Sequence, residues 1–210
     1  RKFSRLFRKY LHRRVNLEQV YSIAERITNM YRNDGYILSK AVVPPQKIEE
    51  GVVQIDVIEG FIDRVAIQGQ VRGPRKLLNE YRKGLLRSRP LKARALERYL
   101  LLVDDLPGVS AKSVLTPSDH KPGATNLTLL LENKSYDGSL GVDNRGSRFN
   151  GPIQINAGVS GNALFKNYER IGVQGVVTSN TDELSFFSGF YEQPISSEGT
   201  KLFFSGSFSD

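Results

Sequence analysis

Cysteine and tryptophan are absent from this 210-residue sequence, which also contains only one methionine and two histidines. Without cysteine, a disulfide framework, a thiolate metal site and a cysteine nucleophile are excluded. The same absence suits a protein that crosses an oxidising compartment, where a free thiol would be mispaired. No apolar run approaches the roughly 18–20 residues that a transmembrane helix needs. Because the chain begins inside a helical pattern, we expect that residue 1 is not the natural start.

Few side chains suit catalysis or metal binding. His12 lies in a basic segment and His120 in a turn, so a surface position is expected for both. The run Ser118-Asp119-His120 has the residue types of a catalytic triad, but triad members converge from separate elements. Asp104-Asp105 indicates a helix-terminal turn better than a calcium site, which needs more oxygen ligands. The sequence therefore predicts no enzyme activity, no metal site and no cofactor.

Charge is distributed unevenly along the chain. Residues 1–135 contain 25 Lys and Arg against 14 Asp and Glu, a net +11, whereas residues 136–210 contain 5 against 8, a net −3. A basic half is either a solvated surface or an attractor of nucleic acid, acidic lipid or an acidic partner. Residues 1–14 predict a basic amphipathic helix, which packs on a sheet or lies on a membrane. The densest basic cluster comprises Arg75, Lys76, Arg82, Lys83 and Arg87.

The first 135 residues contain an internal repeat with a shift of 73 positions. Gly35 then falls on Gly108, Pro44 on Pro117 and Glu59 on Glu132, and the apolar positions of one helix fall on those of another. Such self-similarity indicates a duplicated structural unit. Two copies are too few for a solenoid, so the repeat predicts two tandem domains.

The first copy predicts a helix followed by two strands. Asn16 and Gln19 have the spacing of a capping box, and apolar residues recur at helical spacing from Leu17 to Met30. Gly35 is the expected left-handed residue after the helix. Ile37–Val43 then predicts a strand that Pro44-Pro45 ends, and the alternation over 52–59 predicts a second strand.

The second copy is longer at its start and predicts the order β-α-α-β-β. Its expected strands are Arg64–Gln68, Val109–Leu115 and Leu127–Leu131, and its expected helices are Arg75–Leu86 and Leu91–Val103. By comparison, the first copy lacks an opening strand. We expect that strand to precede residue 1.

After residue 135 the helical periodicity stops and period-2 alternation begins. Four segments alternate apolar with small or polar residues, over 152–160, 171–179, 184–191 and 202–209. Strands of about 9–11 residues with this pattern are typical of a transmembrane β-barrel wall, and a soluble antiparallel sandwich is the alternative. Since a membrane barrel needs at least ~8 strands, the barrel interpretation predicts that the chain continues beyond Asp210.

Several of these motifs together resemble a known family. YRNDGYILSKAVVPPQ followed by GVVQIDVIEGFIDRVAIQG resembles the first POTRA domain of two-partner secretion transporters and its junction with the second. LERYLLLVDDLPGVSAKSVLTPSDHKPGATNLTLLLE resembles the second POTRA domain. GSLGVDNRGSRFNGPIQINAGVSGNALF and FFSGFYEQPISSEGTKLFFSGSFS are similar to the first hairpins of the barrel. The family's plug helix and its late barrel loop motif have no counterpart in these 210 residues.

The resemblance implies an α+β architecture of the Omp85 superfamily, truncated at both ends. The implied domains are a first POTRA domain over 1–60, a second over 61–135, and the N-terminal part of an outer-membrane β-barrel over 136–210. It also implies a Gram-negative outer-membrane location with the POTRA domains in the periplasm. The implied function is export of a large, unfolded β-helical partner protein, with no nucleic acid involved.

Within that function, the expected binding surface is the middle strand of each unit, which the family places at a sheet edge. An extended client adds itself to such an edge through main-chain hydrogen bonds. The candidate client-binding residues are Ile37, Ser39, Ala41, Val42, Val43, Val109, Ala111, Ser113 and Leu115. The alternative is that both strands serve only to pack the core.

The basic cluster on 75–87 would steer an acidic client or touch lipid headgroups of the outer membrane. Two other functions stay open for the protein as a whole. One is an assembly factor that inserts barrels. The other is a soluble basic module that binds nucleic acid, for which binding would depend strongly on salt.

Overall fold

The computed structural model describes residues 3–144, 152–178 and 185–209. Two compact units are present. The first comprises Arg1–Ile67, Arg82–Leu100 and Ser113–Leu129, and the second comprises Gln68–Tyr81, Leu101–Lys112 and Leu130–Asp210. No helix in the described part of the chain is long and apolar enough to cross a membrane.

Helices and strands occur in the predicted order, so the α+β class is confirmed. The helices are α1 (Ser4–Phe7), α2 (Leu17–Asn33), α3 (Arg75–Arg87) and α4 (Ala93–Asp104), with a 3₁₀ turn over Arg8–Tyr10. The first strands are β1 (Lys40–Val42), β2 (Asp56–Ile58), β3 (Phe61–Gly69), β4 (Val109–Pro117) and β5 (Ala124–Asn133). The later strands are β6 (Tyr136–Asp143), β7 (Gln154–Asn162), β8 (Arg170–Thr178), β9 (Ser185–Pro194) and β10 (Lys201–Ser209).

The helical segment at the N-terminus is shorter than the helix predicted over 1–14. Its described part ends at Tyr10, because Leu11 is extended and His12 has a left-handed φ of 59°. Phe3 stacks on Tyr31 of α2 with the ring centroids 5.8 Å apart. This contact supports packing of the segment onto the fold at its first described residue.

Helix α2 begins with the capping box that the sequence predicts. The Asn16 side chain accepts from the Gln19 amide at 2.9 Å, and the Gln19 side chain accepts from the Asn16 amide at 3.1 Å. These two bonds satisfy amides that the first helical turn would leave unpaired. The helix buries a single apolar face formed by Val20, Ile23, Ala24 and Ile27.

The hairpin β1–β2 is much shorter than predicted, and the strands expected over 37–43 and 52–59 are wrong in length. Each has only three residues, with Ala41 opposite Val57. Beyond them, Gln46 takes the place of a neighbouring strand: its side-chain oxygen accepts from the Gln54 amide at 2.7 Å and its nitrogen donates to the Gln54 carbonyl at 2.9 Å. Because a side chain satisfies this backbone, no strand ladder continues there.

The second α+β module contains a three-stranded sheet with the order β3-β5-β4. Helices α3 and α4 contribute apolar side chains at helical spacing to the core of this module. The buried residues of these five elements and their connections include Ile62, Val65, Leu78, Tyr81, Leu85, Leu91, Leu96, Val103, Val109, Leu127, Leu129 and Leu131. Helix α4 begins two residues later than predicted, since the Leu91 amide donates to the Gly60 carbonyl at 2.8 Å instead of lying in a helix.

Two backbone hydrogen bonds of the first unit join the first module to the segment that begins α4. Leu91 donates to Gly60 as described, and Ala93 donates to Gly35 at 2.7 Å. Within the second module, Phe61 donates to Gly123 of the β4–β5 loop at 3.0 Å. Gly60 has no room for a side chain, because a Cβ there would lie 2.4 Å from the Leu38 carbonyl oxygen. The two modules are therefore connected through main-chain contacts that do not depend on side-chain identity.

The last five strands form one antiparallel sheet with the order β10-β9-β8-β7-β6, which we call the wall. Four of them match the segments predicted from alternation, and β6 adds a strand within the segment that resembled the start of a barrel. Each wall strand has 8–10 residues. The turns predicted at 144–146 and 179–182 lie, apart from Asn144, outside the described residues.

Strand register divides the wall into an apolar face and a polar face. The apolar face contains Tyr136, Leu140, Val142, Ile155, Ala157, Val159, Ile171, Val173, Val177, Phe187, Tyr191, Phe204 and Phe208. The polar face contains Asp137, Ser139, Asn156, Ser160, Asn162, Arg170, Gln174, Ser188, Glu192, Ser205 and Ser207, together with the apolar Val176, Phe186, Phe190 and Phe203. Leu140 is 80% exposed and most of its apolar neighbours are also exposed. A soluble sandwich would bury this face, so the described residues favour a barrel wall.

Candidate functional site

Strand β4 lies at an edge of the three-stranded sheet, as the resemblance implies for the middle strand of this module. It pairs with β5 alone among the described strands. From Lys112 to Pro117 every residue of β4 is exposed. The structure thus brings Val109, Ala111, Ser113 and Leu115 together on one strand with an open side.

One backbone amide on the open side is already occupied. The Ala111 amide donates to the Asp104 carboxylate at 3.1 Å, and Asp104 is the last residue of α4. On the other side of the strand, the Ser118 amide donates to the Ala124 carbonyl of β5. Since alternate residues of a strand direct their amides to opposite sides, the odd-numbered Ser113 and Leu115 direct theirs to the open side. On the open side of β4, the Ala111 amide is therefore already bonded to a side chain, and the Ser113 and Leu115 amides follow it along the strand.

The edge of the first module is different. Only Ala41 and Val42 of the predicted residues lie in β1; Ile37 lies in a turn, and Ser39 and Val43 flank the strand. Ser39 is 1% exposed, and its hydroxyl accepts from the Gly60 amide at 3.1 Å. Ser39 therefore has a structural role, because its hydroxyl joins the segment before β1 to the backbone of Gly60.

The Ala41 amide also bonds to a helix side chain. It donates to Thr28 Oγ1 of α2 at 2.9 Å, while that hydroxyl donates to the Ala24 carbonyl at 3.0 Å. Both edges thus have a mid-strand amide bonded to a helix side chain, but in β1 that residue is the centre of a three-residue strand. We find that sequence analysis missed Thr28 and Asp104 in these roles.

The predicted basic cluster lies on the solvent side of α3. Arg75, Lys76, Arg82, Lys83 and Arg87 are all exposed. The opposite side of the helix is apolar, with Leu78, Tyr81 and Leu85 buried. One basic stripe therefore follows the full length of the helix, which suits long-range attraction of an acidic partner or an anionic surface.

The end of α4 bonds to the polar face of the wall within the second unit. Lys201 of β10 lies 2.8 Å from the Asp105 carboxylate and 2.8 Å from the Glu192 carboxylate of β9. Gly108, with φ of 71°, comes so close to Asn162 of β7 that a Cβ there would lie 2.5 Å from the Asn162 Cβ. Asp104 and Asp105 are thus a pair in which one carboxylate contacts the edge strand and its neighbour contacts the wall.

Two buried tyrosines pack beside this region. Burial raises the pKa of Tyr168 to about 12, the Tyr81 hydroxyl adds to the increase, and the Arg75 guanidinium opposes it. Burial likewise raises the pKa of Tyr81, with a further contribution from the Asp105 carboxylate. Both phenols are therefore neutral at physiological pH and act as packing groups.

One signal in the sequence points to these missed carboxylates. Two consecutive acidic residues at the C-terminal end of a helix oppose the helix macrodipole, which disfavours negative charge there. Such a placement indicates that each carboxylate has a partner that offsets the cost. The identity of the partners, Ala111 and Lys201, depends on the tertiary fold.

Comparison with known proteins agrees with this architecture. Residues 1–60 match the family model for the POTRA domain, ShlB-type. The heme/hemopexin transporter protein HuxB of Haemophilus influenzae (strain 86-028NP) is 28% identical over 161 residues, which cover 76% of this chain and 28% of HuxB. The outer membrane transporter CdiB of Dickeya dadantii (strain 3937) is 27% identical over 157 residues, which cover 74% of this chain and 27% of CdiB.

A solved structure extends the agreement in fold to nearly the whole chain. CdiB from Escherichia coli superposes with a TM-score of 0.72 over 99% of this chain and 39% of CdiB, at 24% identity. In the two curated relatives, the matched residues span less than a third of the relative's length. The resemblance predicted from the sequence is confirmed: residues 1–60 match the ShlB-type POTRA domain, and the chain is similar to the heme/hemopexin transporter protein HuxB and to the outer membrane transporter CdiB.

Proposed function

We propose that the protein containing this chain exports one large, unfolded partner protein through an outer-membrane barrel. The two α+β modules, over residues 1–60 and 61–135, lie in the periplasm, and residues 136–210 form the first strands of the barrel. The observation that carries this proposal is the exposed apolar face of the wall, which follows directly on a module with an open strand edge. An exposed apolar surface of this kind is suited to contact with lipid. The modules bury their core apolar side chains and are suited to water.

In this function the modules hold an extended segment of the client before it enters the barrel. Strand β4 supplies the main docking edge, because Ser113 and Leu115 direct their amides to its open side. Main-chain hydrogen bonds give affinity with little demand on client sequence. The basic stripe of α3 raises the rate of encounter with an acidic client, an effect that salt weakens.

No nucleotide-driven step is required by this proposal. A client that folds after it emerges from the barrel cannot slide back, so folding outside the cell supplies direction. The chain's own residues then need only to bind the client weakly, keep it extended and release it. Main-chain pairing at an edge strand meets these needs, since each hydrogen bond contributes only about 1 kcal/mol.

The proposal is tested by comparing secreted proteins and outer-membrane proteins of the native host with and without the gene. Loss of one large protein from the medium, with other barrels unchanged, is the expected result. A general loss of outer-membrane barrels would instead establish an assembly factor. If neither changes and the purified protein binds RNA or DNA in a salt-dependent way, the basic module that binds nucleic acid is correct.

A further inference from the structure

The turn between β7 and β8 presents apolar side chains to solvent at the end of the wall where the second module enters. Phe165 is 68% exposed and Leu164 is 41% exposed. The turn follows Asn162 directly, and the Asn162 amide donates to the Ser135 carbonyl at 2.7 Å, just before β6 begins. The turn and the second module therefore lie at the same end of the wall.

This turn has an unusually constrained backbone. Ala163, Lys166 and Tyr168 all have left-handed φ angles, of 52°, 62° and 56°. For a residue that is not glycine, this conformation is strained and persists only where its surroundings fix it. Strain of this kind in a single turn indicates that its shape serves a purpose.

A buried carboxylate fixes the shape of the turn. The side chain of Glu169 is fully buried and accepts hydrogen bonds from the Phe165 amide and, at 2.8 Å, from the Asn167 amide. Tyr168 is fully buried, and its ring lies against Gly73, where an added Cβ would come within 2.3 Å of it. Buried side chains therefore fix the backbone of the turn, while the Phe165 side chain is exposed to solvent.

The exposed apolar pair continues the apolar face of the wall. Gly161 belongs to that face, in one register row with Tyr136 and Ile171. The side chain of Leu164 covers Gly161, since a Cβ there would lie 2.6 Å from Leu164 Cδ1. Leu164 and Phe165 thus extend the apolar face past the strand ends, to a level where Tyr136 and Tyr191 already place aromatic rings.

Basic side chains surround the same position. Lys166 is exposed within the turn, and Arg72, Arg75 and Lys76 are exposed on either side of Gly73, which contacts Tyr168. The Arg75 guanidinium is close enough to lower the pKa of Tyr168 against the larger effect of burial. Apolar side chains beside lysine and arginine match the boundary between acyl chains and anionic headgroups.

We propose that residues 163–168 are a membrane-interface anchor, in which Phe165 and Leu164 enter the periplasmic leaflet and the basic residues bind an anionic phospholipid headgroup. The anchor fixes the height of the second module relative to the bilayer, because Tyr168 joins the turn to the start of α3. This inference rests on the proposed outer-membrane location of the wall. It does not depend on which protein is exported.

The test uses the complete protein in lipid nanodiscs of phosphatidylethanolamine and phosphatidylglycerol. Since this part of the chain has no cysteine, Phe165→Cys provides a labelling site for a fluorophore that responds to polarity. Leu164→Cys provides a second position, and Val52→Cys, at a side chain that is 69% exposed in the first module, provides the control in water. Heat-modifiable gel mobility shows which variants are folded.

We expect the label at 165 to be quenched by nitroxides at the headgroup level at least threefold more strongly than the label at 52. Iodide in the buffer should instead quench the label at 52 more strongly than the label at 165. With equal amounts of nitroxide on phosphatidylglycerol or on phosphatidylcholine, quenching at 165 should be about twofold stronger for the anionic lipid. The triple variant Lys166→Gln, Arg75→Gln, Lys76→Gln should lose that preference.

A label at 165 and at 164 that is as accessible to iodide as the label at 52 would overturn the anchor. Quenching by lipid without preference for phosphatidylglycerol would overturn the headgroup assignment. Secretion of the partner, measured in the same strains, separates this inference from the proposed function. An anchor without secretion contradicts the proposed function alone, and secretion with a solvated Phe165 contradicts the anchor alone.

Discussion

The two modules share a plan but present edges of very different length. Strand β1 has three residues, and β4 has nine. In β1 the central amide, of Ala41, is bonded to Thr28, so the strand has no further amide on that side. In β4 the Ala111 amide is bonded to Asp104, yet Ser113 and Leu115 follow with the same orientation. Duplication of a fold has thus not duplicated the long open edge, and under the proposed export function we expect an extended client to dock on the second module.

The largest expected effect is that of Ser113→Pro. Proline at an edge position that points outward keeps the β4–β5 ladder but removes one amide and blocks close approach of another strand. Client affinity should fall at least tenfold, measured by titration with the client's N-terminal domain. Ser113→Ala, which keeps the amide, is the control and should change affinity by less than twofold. A proline variant that is folded and binds normally would show that β4 is not the docking edge.

The second largest expected effect is a gain in client affinity. Asp104→Ala frees the Ala111 amide for the client and also removes an unfavourable charge from the end of α4. One additional hydrogen bond of about 1 kcal/mol corresponds to roughly fivefold tighter binding. Asp104→Asn keeps an oxygen acceptor and serves as the matched control, with a smaller gain. Weaker binding by the alanine variant would mean that Asp104 contacts the client itself.

In the first module we expect a change in stability with little change in binding. Thr28→Val keeps the side-chain shape but leaves the Ala41 amide without its acceptor, which should lower the free energy of unfolding by about 1–2 kcal/mol. Thr28→Ser retains the hydroxyl and should preserve that bond. Client affinity should change by less than twofold for both, as measured in the same titration. An effect as large as that of Asp104→Ala would make the two edges equivalent.

The smallest effect concerns pH. A hydrogen bond from Lys121, with further help from Arg89, holds the pKa of Asp63 below its usual value of 3.8. A lowered folded-state pKa contributes stability above the unfolded pKa, and that contribution is lost as pH falls through the folded pKa. Denaturation of the Lys121→Gln variant should therefore show a weaker loss of stability below pH 4 than the wild-type protein. An identical pH profile would mean that the pair contributes nothing.

Local patterns predicted most of the elements. The capping box at Asn16 and Gln19 and the alternation of β7 to β10 depend on neighbours in sequence, so they could be recognised without a fold. The repeat predicted the second module because its helices and strands follow the same spacing as the first. Even the unequal start of the two copies was visible as a strand that only the second contains.

The details that decide how long and how open each strand edge is depend on distant residues. Strand β1 is short because Gln46 bonds to the backbone of Gln54 and because Gly60 lies against Leu38, and no pattern in 37–43 reveals either contact. Likewise, Asp104 and Thr28 become important only when a strand amide folds beside them. Side chains that bond to a strand backbone in place of a neighbouring strand do not recur at a fixed spacing and leave no mark on composition. The sequence alone could therefore not predict them.

The most direct test of client docking at β4 is hydrogen exchange at individual amides of the complete protein, with and without the N-terminal domain of its client. If the client extends the sheet at β4, the Ser113 and Leu115 amides should exchange at least tenfold more slowly in the complex, because they become hydrogen-bonded. The Ala41 amide should change little. Unchanged exchange at Ser113 and Leu115, with new protection on α3 or β1 instead, would contradict docking of the client at β4.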